Sequence, residues 1–210
     1  MQAGETMSAG EVNEIKKAPH VEGVLPEFHE RWSPVSFSSR GVSADLLRRV
    51  FEAARWTASS YNEQPWRFLL GRTPDETYTK IFDSLSENNK KWAGTAPVLI
   101  LGMTNTKFRR TGAVNRVALF DLGAASSYLT LEATALGLAT HQMEGFDSEK
   151  VRKAFGVPDD YVMGSVIALG YEGEPAQIKD EKLIERELSP RTRKSLNEIV
   201  FAASGRPAVL

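Results

Sequence analysis

Four separated groups of residues in this sequence carry side chains that could bind a ligand. They are Arg31-Trp32-Ser33-Pro34, the segment Ser59–Trp66, the segment Met143–Asp147, and Arg191-Thr192-Arg193. The two guanidiniums of the last group suit bidentate binding of a phosphate. The second group holds hydroxyls and amides, which donate and accept hydrogen bonds, and the glycine of the third lets the backbone come close to a ligand. These residue types indicate a binding site for a phosphate-bearing ligand.

The apolar pattern places these groups at the ends of predicted helices and strands. Ser43 can cap a helix whose apolar residues recur at helical spacing as far as Ala54. The other predicted elements are strands at 66–70, 97–103, up to Met143 and at 161–171, and helices at about 75–91, about 115–136 and from Asp147 to Gly156. Helices that alternate with short strands predict a mixed sheet covered by helices.

The chain has 210 residues, and no linker rich in proline, glycine or serine divides it. We therefore predict a single domain at residues 25–210, which ends in a C-terminal extension. Residues 1–24 show little periodicity and are predicted to form a flexible N-terminal arm. The apolar residues Ile199, Val200 and Phe201 near the C-terminus need a surface to pack against, for which a partner subunit is one candidate.

Composition and missing motifs exclude several classes of function. The net charge of −1 argues against nucleic acid as a partner, and the absence of cysteine excludes disulfides and thiolate chemistry. No G-x-G-x-x-G motif and no P-loop occur. The three histidines are scattered without a metal-binding pattern, so we predict no metal. We find no signal peptide and no apolar stretch that could cross a membrane, and we expect a cytoplasmic protein.

Taken in order, the four groups resemble the nitroreductase family of flavin oxidoreductases. The motifs that carry the resemblance are R-W-S-P, S-S-x-N-x-Q-P-W, E-G-F-D and R-x-R, and the likeness covers about residues 26–201. It implies an α+β fold and a homodimer with FMN at the subunit interface. It also implies NADH or NADPH as the electron donor, and the sequence does not choose between them.

The resemblance assigns roles to individual residues. Arg31, Trp32 and Ser33 would lie at the phosphate end and pyrimidine side of FMN, and Arg191 and Arg193 would bind the phosphate. The residues expected to reach the flavin from the neighbouring subunit are Ser59, Ser60, Asn62 and Gln64. Asn89, with Asn88 as the alternative, would contact the ring, and Met143, Glu144 and Gly145 would lie beside its N5 atom. Phe108, Arg109 and His141 are candidates for the acceptor side, although a packing role is favoured for Phe108 and a hydrogen-bonded core position for His141.

Val35 departs from the family pattern, since many relatives carry a basic residue there. Valine cannot stabilise the negative charge of the reduced flavin, so Lys91, Arg40 or a helix N-terminus would supply the charge, or the reduction potential would be lower.

The activity implied is ping-pong hydride transfer from NAD(P)H through the flavin to a small electrophilic acceptor such as a nitroaromatic, quinone or enone. Two alternatives remain open at this point. One is a protein that stores, presents or degrades FMN without dedicated NAD(P)H turnover. The other is a dimeric interaction module that no longer binds flavin.

Overall fold

The computed structural model describes residues 7–209, which form helices packed on both faces of a small sheet. The helices are α1 (Ala9–Lys16), α2 (Pro26–Glu30), α3 (Ala44–Arg55), α4 (Glu76–Ser84), α5 (Glu87–Ala93), α6 (Ala118–Ala135), α7 (Ser148–Phe155) and α8 (Glu181–Leu188). The strands are β1 (Trp66–Arg72), β2 (Val98–Asn105), β3 (Ala139–Met143), β4 (Tyr161–Gly170), β5 (Phe201–Ala203) and β6 (Arg206–Pro207). The α+β class is thus as predicted.

The central sheet has the strand order β1-β2-β4-β3, and all of its pairings are antiparallel. The prediction of a sheet with mixed strand directions is therefore wrong. The reason lies in the connection from β1 to β2, which contains two helices. Because it brings the chain back to the end of the sheet that it left, Arg72 pairs with Val98 and β2 runs opposite to β1.

A core lies on each face of this sheet, because successive residues of a strand point to opposite sides. In β2, Leu99 and Leu101 belong to the core that also holds Ile81 of α4 and Val151 of α7. Ile100 belongs to the other core, which is completed by residues of α3 and α6. β3 is left as an edge strand, and the residues around it form the candidate site.

Side chains cap the N-termini of several helices, and two of these caps, Ser43 and Asp147, are as the sequence predicts. The Ser43 hydroxyl accepts from the amide of Leu46 at 3.3 Å, and the Asp147 carboxylate accepts from that of Lys150 at 2.9 Å. One prediction is wrong, since residues 75–91 form two helices. The serine hydroxyl of Ser86 caps α5, while Leu85 pairs with Phe146 and is buried. This break becomes part of the candidate site.

Residues 9–16 of the predicted flexible arm form α1, and residues 1–6 lie outside the described part of the chain. Ser8 and Glu11 form a capping box at the start of α1, and Val12 is buried. The ammonium of Lys16 donates to the carbonyl of Arg186 at 2.8 Å. The apolar pattern does not indicate this helix, because only two of its residues are buried, and these pack against distant parts of the chain.

The C-terminal part contains α8, which the sequence analysis did not predict, and the short hairpin of β5 and β6. Ile199 and Phe201, in and beside that hairpin, are exposed. Within residues 7–209, no helix is long and apolar enough to cross a membrane.

Candidate functional site

Three arginines from distant parts of the chain come together beside α2. Arg191 donates to the backbone carbonyls of Arg31 and His29. Burial lowers the pKa of Arg31, and the nearby Arg193 guanidinium lowers it further. Burial lowers the pKa of Arg191 as well, with additional contributions from Arg31 and Arg193. The three positive charges therefore repel one another.

This arginine cluster (Arg31, Arg191 and Arg193) has no carboxylate partner, since none of the ion pairs found within residues 7–209 involves it. The Nε atom of Arg191 is buried and has no hydrogen-bond partner. Arg31 also borders a cavity of about 550 Å³. Arg31 and Arg191 are half-buried, and partly buried cations without counter-ions are costly. A bound dianion would relieve both the repulsion and the unpaired donor. The residues therefore fit a phosphate group.

Ser33 is a fourth predicted residue at the cluster, because its hydroxyl accepts from the Arg31 guanidinium at 3.3 Å. Trp32 has a different role. Its ring N–H donates to Asn13 of α1 at 2.8 Å and to Glu172 at 3.0 Å, and the ring is buried. Its one polar atom is thus already bonded, so Trp32 anchors the Arg31 segment to the fold.

A buried carboxylate from α8 holds the next residues of the same segment. Glu187 accepts from the backbone amide of Val35 at 3.1 Å. Burial raises the pKa of Glu187 to about 7, against the opposing effects of the Val35 and Ser36 amides and of the charges of Lys16 and Arg186. The Val35 side chain belongs to the core. A basic side chain at this position would therefore have to leave the core or be buried as a charge.

The Glu144–Gly145 turn follows β3 and is pinned by the break between α4 and α5. The Gly145 carbonyl accepts from the Asn89 side-chain amide and from the backbone amide of Ser86, both at 2.9 Å. A Cβ atom at Gly145 would lie 2.9 Å from Nδ2 of Asn89, so a larger residue would displace the Asn89 side chain. Asn89 is thus the asparagine that contacts this turn, and Met143, the last residue of β3, is buried in the core.

The loop at 59–64 is held in a strained backbone conformation. Tyr61, Asn62 and Gln64 all have positive φ, at 52°, 54° and 55°, which costs energy for residues other than glycine. The Ser59 hydroxyl accepts from the Gln64 amide at 3.0 Å. The backbone amide of Ser60 donates to the buried carboxylate of Asp121 at 3.2 Å. The loop is therefore preorganised, and its side chains project outward.

The structure brings two of these predicted groups to the same edge strand, β3. The Arg31–Val35 segment lies against its middle, where His141 Nδ1 is 2.8 Å from the carbonyl of Pro34. The Glu144–Gly145 turn directly follows the strand. In the part of the chain that the structure describes, no hydrogen bond joins the loop at 59–64 to either group. The role of that loop across a subunit interface stays a prediction.

Sequence reasoning did not assign a partner to His141, and it missed the contribution of α8. The His141 ring stacks on Trp92 with 4.3 Å between ring centroids, and its Nε2 lies 3.2 Å from Arg186. Burial lowers the pKa of His141 to about 4, so the ring is neutral at pH 7 and accepts at Nε2. An amphipathic pattern after Asp180, which caps α8, was the available signal for this helix.

Comparison with known proteins gives the family. The sequence pattern of the nitroreductase family matches residues 29–91 and 73–171. A protein of Mycolicibacterium smegmatis, described as an uncharacterized 15.4 kDa protein, is 36% identical over 143 residues, which are 64% of this chain and 94% of that protein. A Stenotrophomonas maltophilia protein, named provisionally as an NADH dehydrogenase/NAD(P)H nitroreductase, is 31% identical over 159 residues, with 67% of this chain and 80% of its own length covered.

Comparison with solved structures gives the same family. A crystal structure described as an oxidoreductase containing FMN superposes with a TM-score of 0.81 at 29% identity, covering 89% of this chain and 94% of that one. A nitroreductase family protein from Clostridium difficile 630 gives a TM-score of 0.63 at 25% identity, covering 82% and 93%. The family pattern matches most of the length of this chain, and the chain shares its fold with these solved structures. The chain therefore belongs to the nitroreductase family.

Proposed function

We propose that this protein is an FMN-dependent oxidoreductase that transfers hydride from NAD(P)H to an electrophilic acceptor of the nitroaromatic, quinone or enone type. The observation that carries the proposal is the arginine cluster, which gathers three positive charges without a carboxylate partner. Support comes from the structural neighbour described as containing FMN and from the relative provisionally named as an NAD(P)H nitroreductase.

In this proposal the arginine cluster binds the FMN phosphate, and the Ser33 hydroxyl orients Arg31 toward it. The Glu144–Gly145 turn offers backbone close to the ring, since Gly145 has no side chain to keep a ligand away. FMN, when bound, supplies a ring that takes up two electrons with a proton and releases them again. The chain itself positions the ligands.

Donor and acceptor bind in turn in this scheme, which is a ping-pong order. Glu144 is exposed beside Gly145, so water reaches the turn and can supply the proton that the acceptor needs. The buried, neutral His141 supports the Arg31 segment through the carbonyl of Pro34. We assign it a positioning role rather than a role in proton transfer.

We further propose that the protein acts as a homodimer, with the outer face of α6 at the interface. Leu119, Phe120 and Tyr128 of this helix are exposed, Phe120 to 77%. Ile199 and Phe201 of the C-terminal segment are exposed as well. Apolar side chains concentrated in this way are typical of a protein–protein interface. A second copy would cover both surfaces and bring the loop at 59–64 next to a neighbouring flavin site.

The test is an absorption spectrum of freshly purified protein, followed by anaerobic addition of NADH and, separately, NADPH. Flavin bands that bleach rapidly support the proposal. Bound flavin that neither donor reduces would favour a flavin-storing protein, and a colourless protein that takes up no added FMN contradicts the proposal.

Variants connect this result to the arginine cluster. Arg193→Gln removes one charge whose only hydrogen bond to residues 7–209 is to the carbonyl of the adjacent Thr192. We expect FMN to bind about 10- to 100-fold more weakly, the effect of one lost charge-assisted hydrogen bond. Arg48→Gln, on the exposed face of α3, is the matched control and should leave FMN affinity unchanged. Equal FMN affinity in the wild type and both variants would contradict the assignment.

A further inference from the structure

A second cavity lies away from the arginine cluster, between the loop at 59–64 and the segment that follows β2. Its volume is about 690 Å³, and its lining includes Tyr61, Asn62, Glu63, Phe108, Arg109 and Arg110. We call it the Tyr61–Arg110 cleft. It shares Asn62 with the loop that we propose to face the flavin of the neighbouring subunit.

The cleft has an excess of positive charge. Lys107, Arg109, Arg110 and Arg116 lie within ten residues, and no acidic residue occurs between Asn105 and Leu119. Among residues 7–209, none of the four forms an ion pair. Arg109 and Arg110 line the cleft, and their guanidiniums are therefore available to an anion that enters it.

Two carboxylates in this region, those of Glu63 and Asp160, are already bonded to other groups. Glu63 accepts from the backbone amide of Arg109 at 2.9 Å, and Asp160 accepts from the side-chain amide of Asn105 at 2.9 Å. Only Glu63 lines the cleft. With Arg109 and Arg110 on the same wall, the lining keeps a net positive charge. Glu63 thus shapes the loop without neutralising the cleft.

An exposed aromatic ring forms another wall. Tyr61 is 90% exposed although its backbone is strained, with φ at 52°. Its ring meets Phe108 edge to face, with 5.7 Å between ring centroids. This contact fixes the tyrosine while one face of its ring stays open. Strain kept at an exposed aromatic residue is typical of a binding surface.

We propose that the Tyr61–Arg110 cleft binds the adenosine end of NADPH, with Arg109 and Arg110 on its 2′-phosphate and Tyr61 stacked against its adenine. The cleft combines the two features that this ligand needs, which are a flat apolar face and paired guanidiniums for a phosphate monoester. NADH lacks the 2′-phosphate and gains only the stacking. The preferred donor is therefore NADPH.

This inference rests on the proposed function, which needs a nicotinamide donor. It adds a preference for NADPH over NADH as that donor. The cleft adjoins Asn62, which we propose to lie near the flavin. A nicotinamide at the flavin would thus leave the adenosine end beside Arg109 and Arg110. No residue of the arginine cluster takes part, so the FMN phosphate and the 2′-phosphate have separate cations.

The experiment is calorimetric titration of the flavin-loaded protein with NADP⁺ and with NAD⁺, which differ only in the 2′-phosphate and undergo no turnover. We expect NADP⁺ to bind at least about 10-fold more tightly at low salt. The difference should shrink as ionic strength rises, because exposed charges are screened. Arg109→Gln with Arg110→Gln should lower NADP⁺ affinity to that of NAD⁺ and leave NAD⁺ affinity unchanged. Tyr61→Ala should weaken both ligands by the same factor.

The matched control is Arg48→Gln, which should change neither affinity. Equal binding of NADP⁺ and NAD⁺ by the wild type would overturn the inference, as would a double variant that still prefers NADP⁺. These outcomes are separate from failure of the proposed function, which would show as protein that takes up no flavin in the same sample. If the protein takes up no flavin and still prefers NADP⁺, the cleft is supported and the proposed function is contradicted.

Discussion

Glu187 should make the stability of this protein fall as the pH rises through the range from about 4.5 to about 7. The residue is 3% exposed, and its carboxyl group accepts from the backbone amide of Val35, next to the segment that carries Arg31 and Ser33. Burial raises its pKa from the ordinary value of 4.5 to about 7. The folded protein therefore holds this proton more tightly than the unfolded chain does.

The sign follows from which state binds the proton. Below pH 4.5 both states are protonated, and the group does not affect the free energy of unfolding. Above pH 4.5 the unfolded chain loses its proton first, so ionisation favours unfolding until the folded group also ionises near pH 7. The difference between 4.5 and about 7 corresponds to about 3 kcal/mol, at about 1.36 kcal/mol for each pH unit.

The perturbation is Glu187→Gln, which keeps an acceptor for the Val35 amide and cannot ionise. Relative to this variant, the wild-type protein should lose about 3 kcal/mol of unfolding free energy between pH 4.5 and pH 8. Urea unfolding followed by circular dichroism at several pH values measures this difference. Glu181→Gln, an exposed position in the first turn of α8, is the control for removing a carboxylate from the same helix.

A second variant tests the physical cause. The charge of Lys16 opposes the rise in the pKa of Glu187, so Lys16→Met should raise that pKa further and extend the fall in stability to higher pH, which enlarges the total loss. This comparison uses the change in unfolding free energy with pH and not the absolute stability, which falls anyway because Lys16 bonds the carbonyl of Arg186. Parallel pH profiles for the wild type and Glu187→Gln would refute the reasoning.

Two further variants test the loop at 59–64 and the turn after β3. Asp121→Ala leaves the amide of Ser60 without its acceptor and should cost about 1–3 kcal/mol in urea unfolding. Asp121→Asn keeps an acceptor and should cost less, and equal losses would exclude this hydrogen bond as the cause. Gly145→Val places a Cβ atom 2.9 Å from Nδ2 of Asn89 and should cost about 1–3 kcal/mol by overpacking. Gly41→Ala, where no atom lies within 4 Å of the new Cβ, should be neutral or stabilising, and a similar loss in both glycine variants would contradict the steric explanation.

Local signals accounted for most elements that position the site. Ser43 and Asp147 were identified as caps because a cap depends on residues within one turn of each other. The apolar run of β2 identified a central strand, because this signal too depends only on neighbouring residues. The split into α4 and α5 was missed, although Ser86 is a good cap, because apolar spacing continues across the break. The turn there becomes necessary only through the pairing of Leu85 with Phe146.

Strand direction and the packing of α1 and α8 depend on contacts between distant residues. Lys16 and Glu187 are both buried in the finished structure, yet a lysine and a glutamate in short amphipathic segments are typical of exposed positions. Trp32 gives a similar lesson, because R-W-S-P suggested a ligand contact while the ring N–H is bonded to Asn13 and Glu172. In each case the partner lies far away in the sequence.

The sequence by itself determined the family, the α+β class and the residue types available for binding, since these depend on motifs and on local periodicity. Tertiary structure alone decided that Arg31 and Arg191 would meet without a counter-ion, and that Gly145 would be pinned by Asn89. It also decided that Arg110 would share a cleft with Tyr61. The physical reason is that charge repulsion, burial and cavity shape depend on distances in space, which residue order specifies only through the fold.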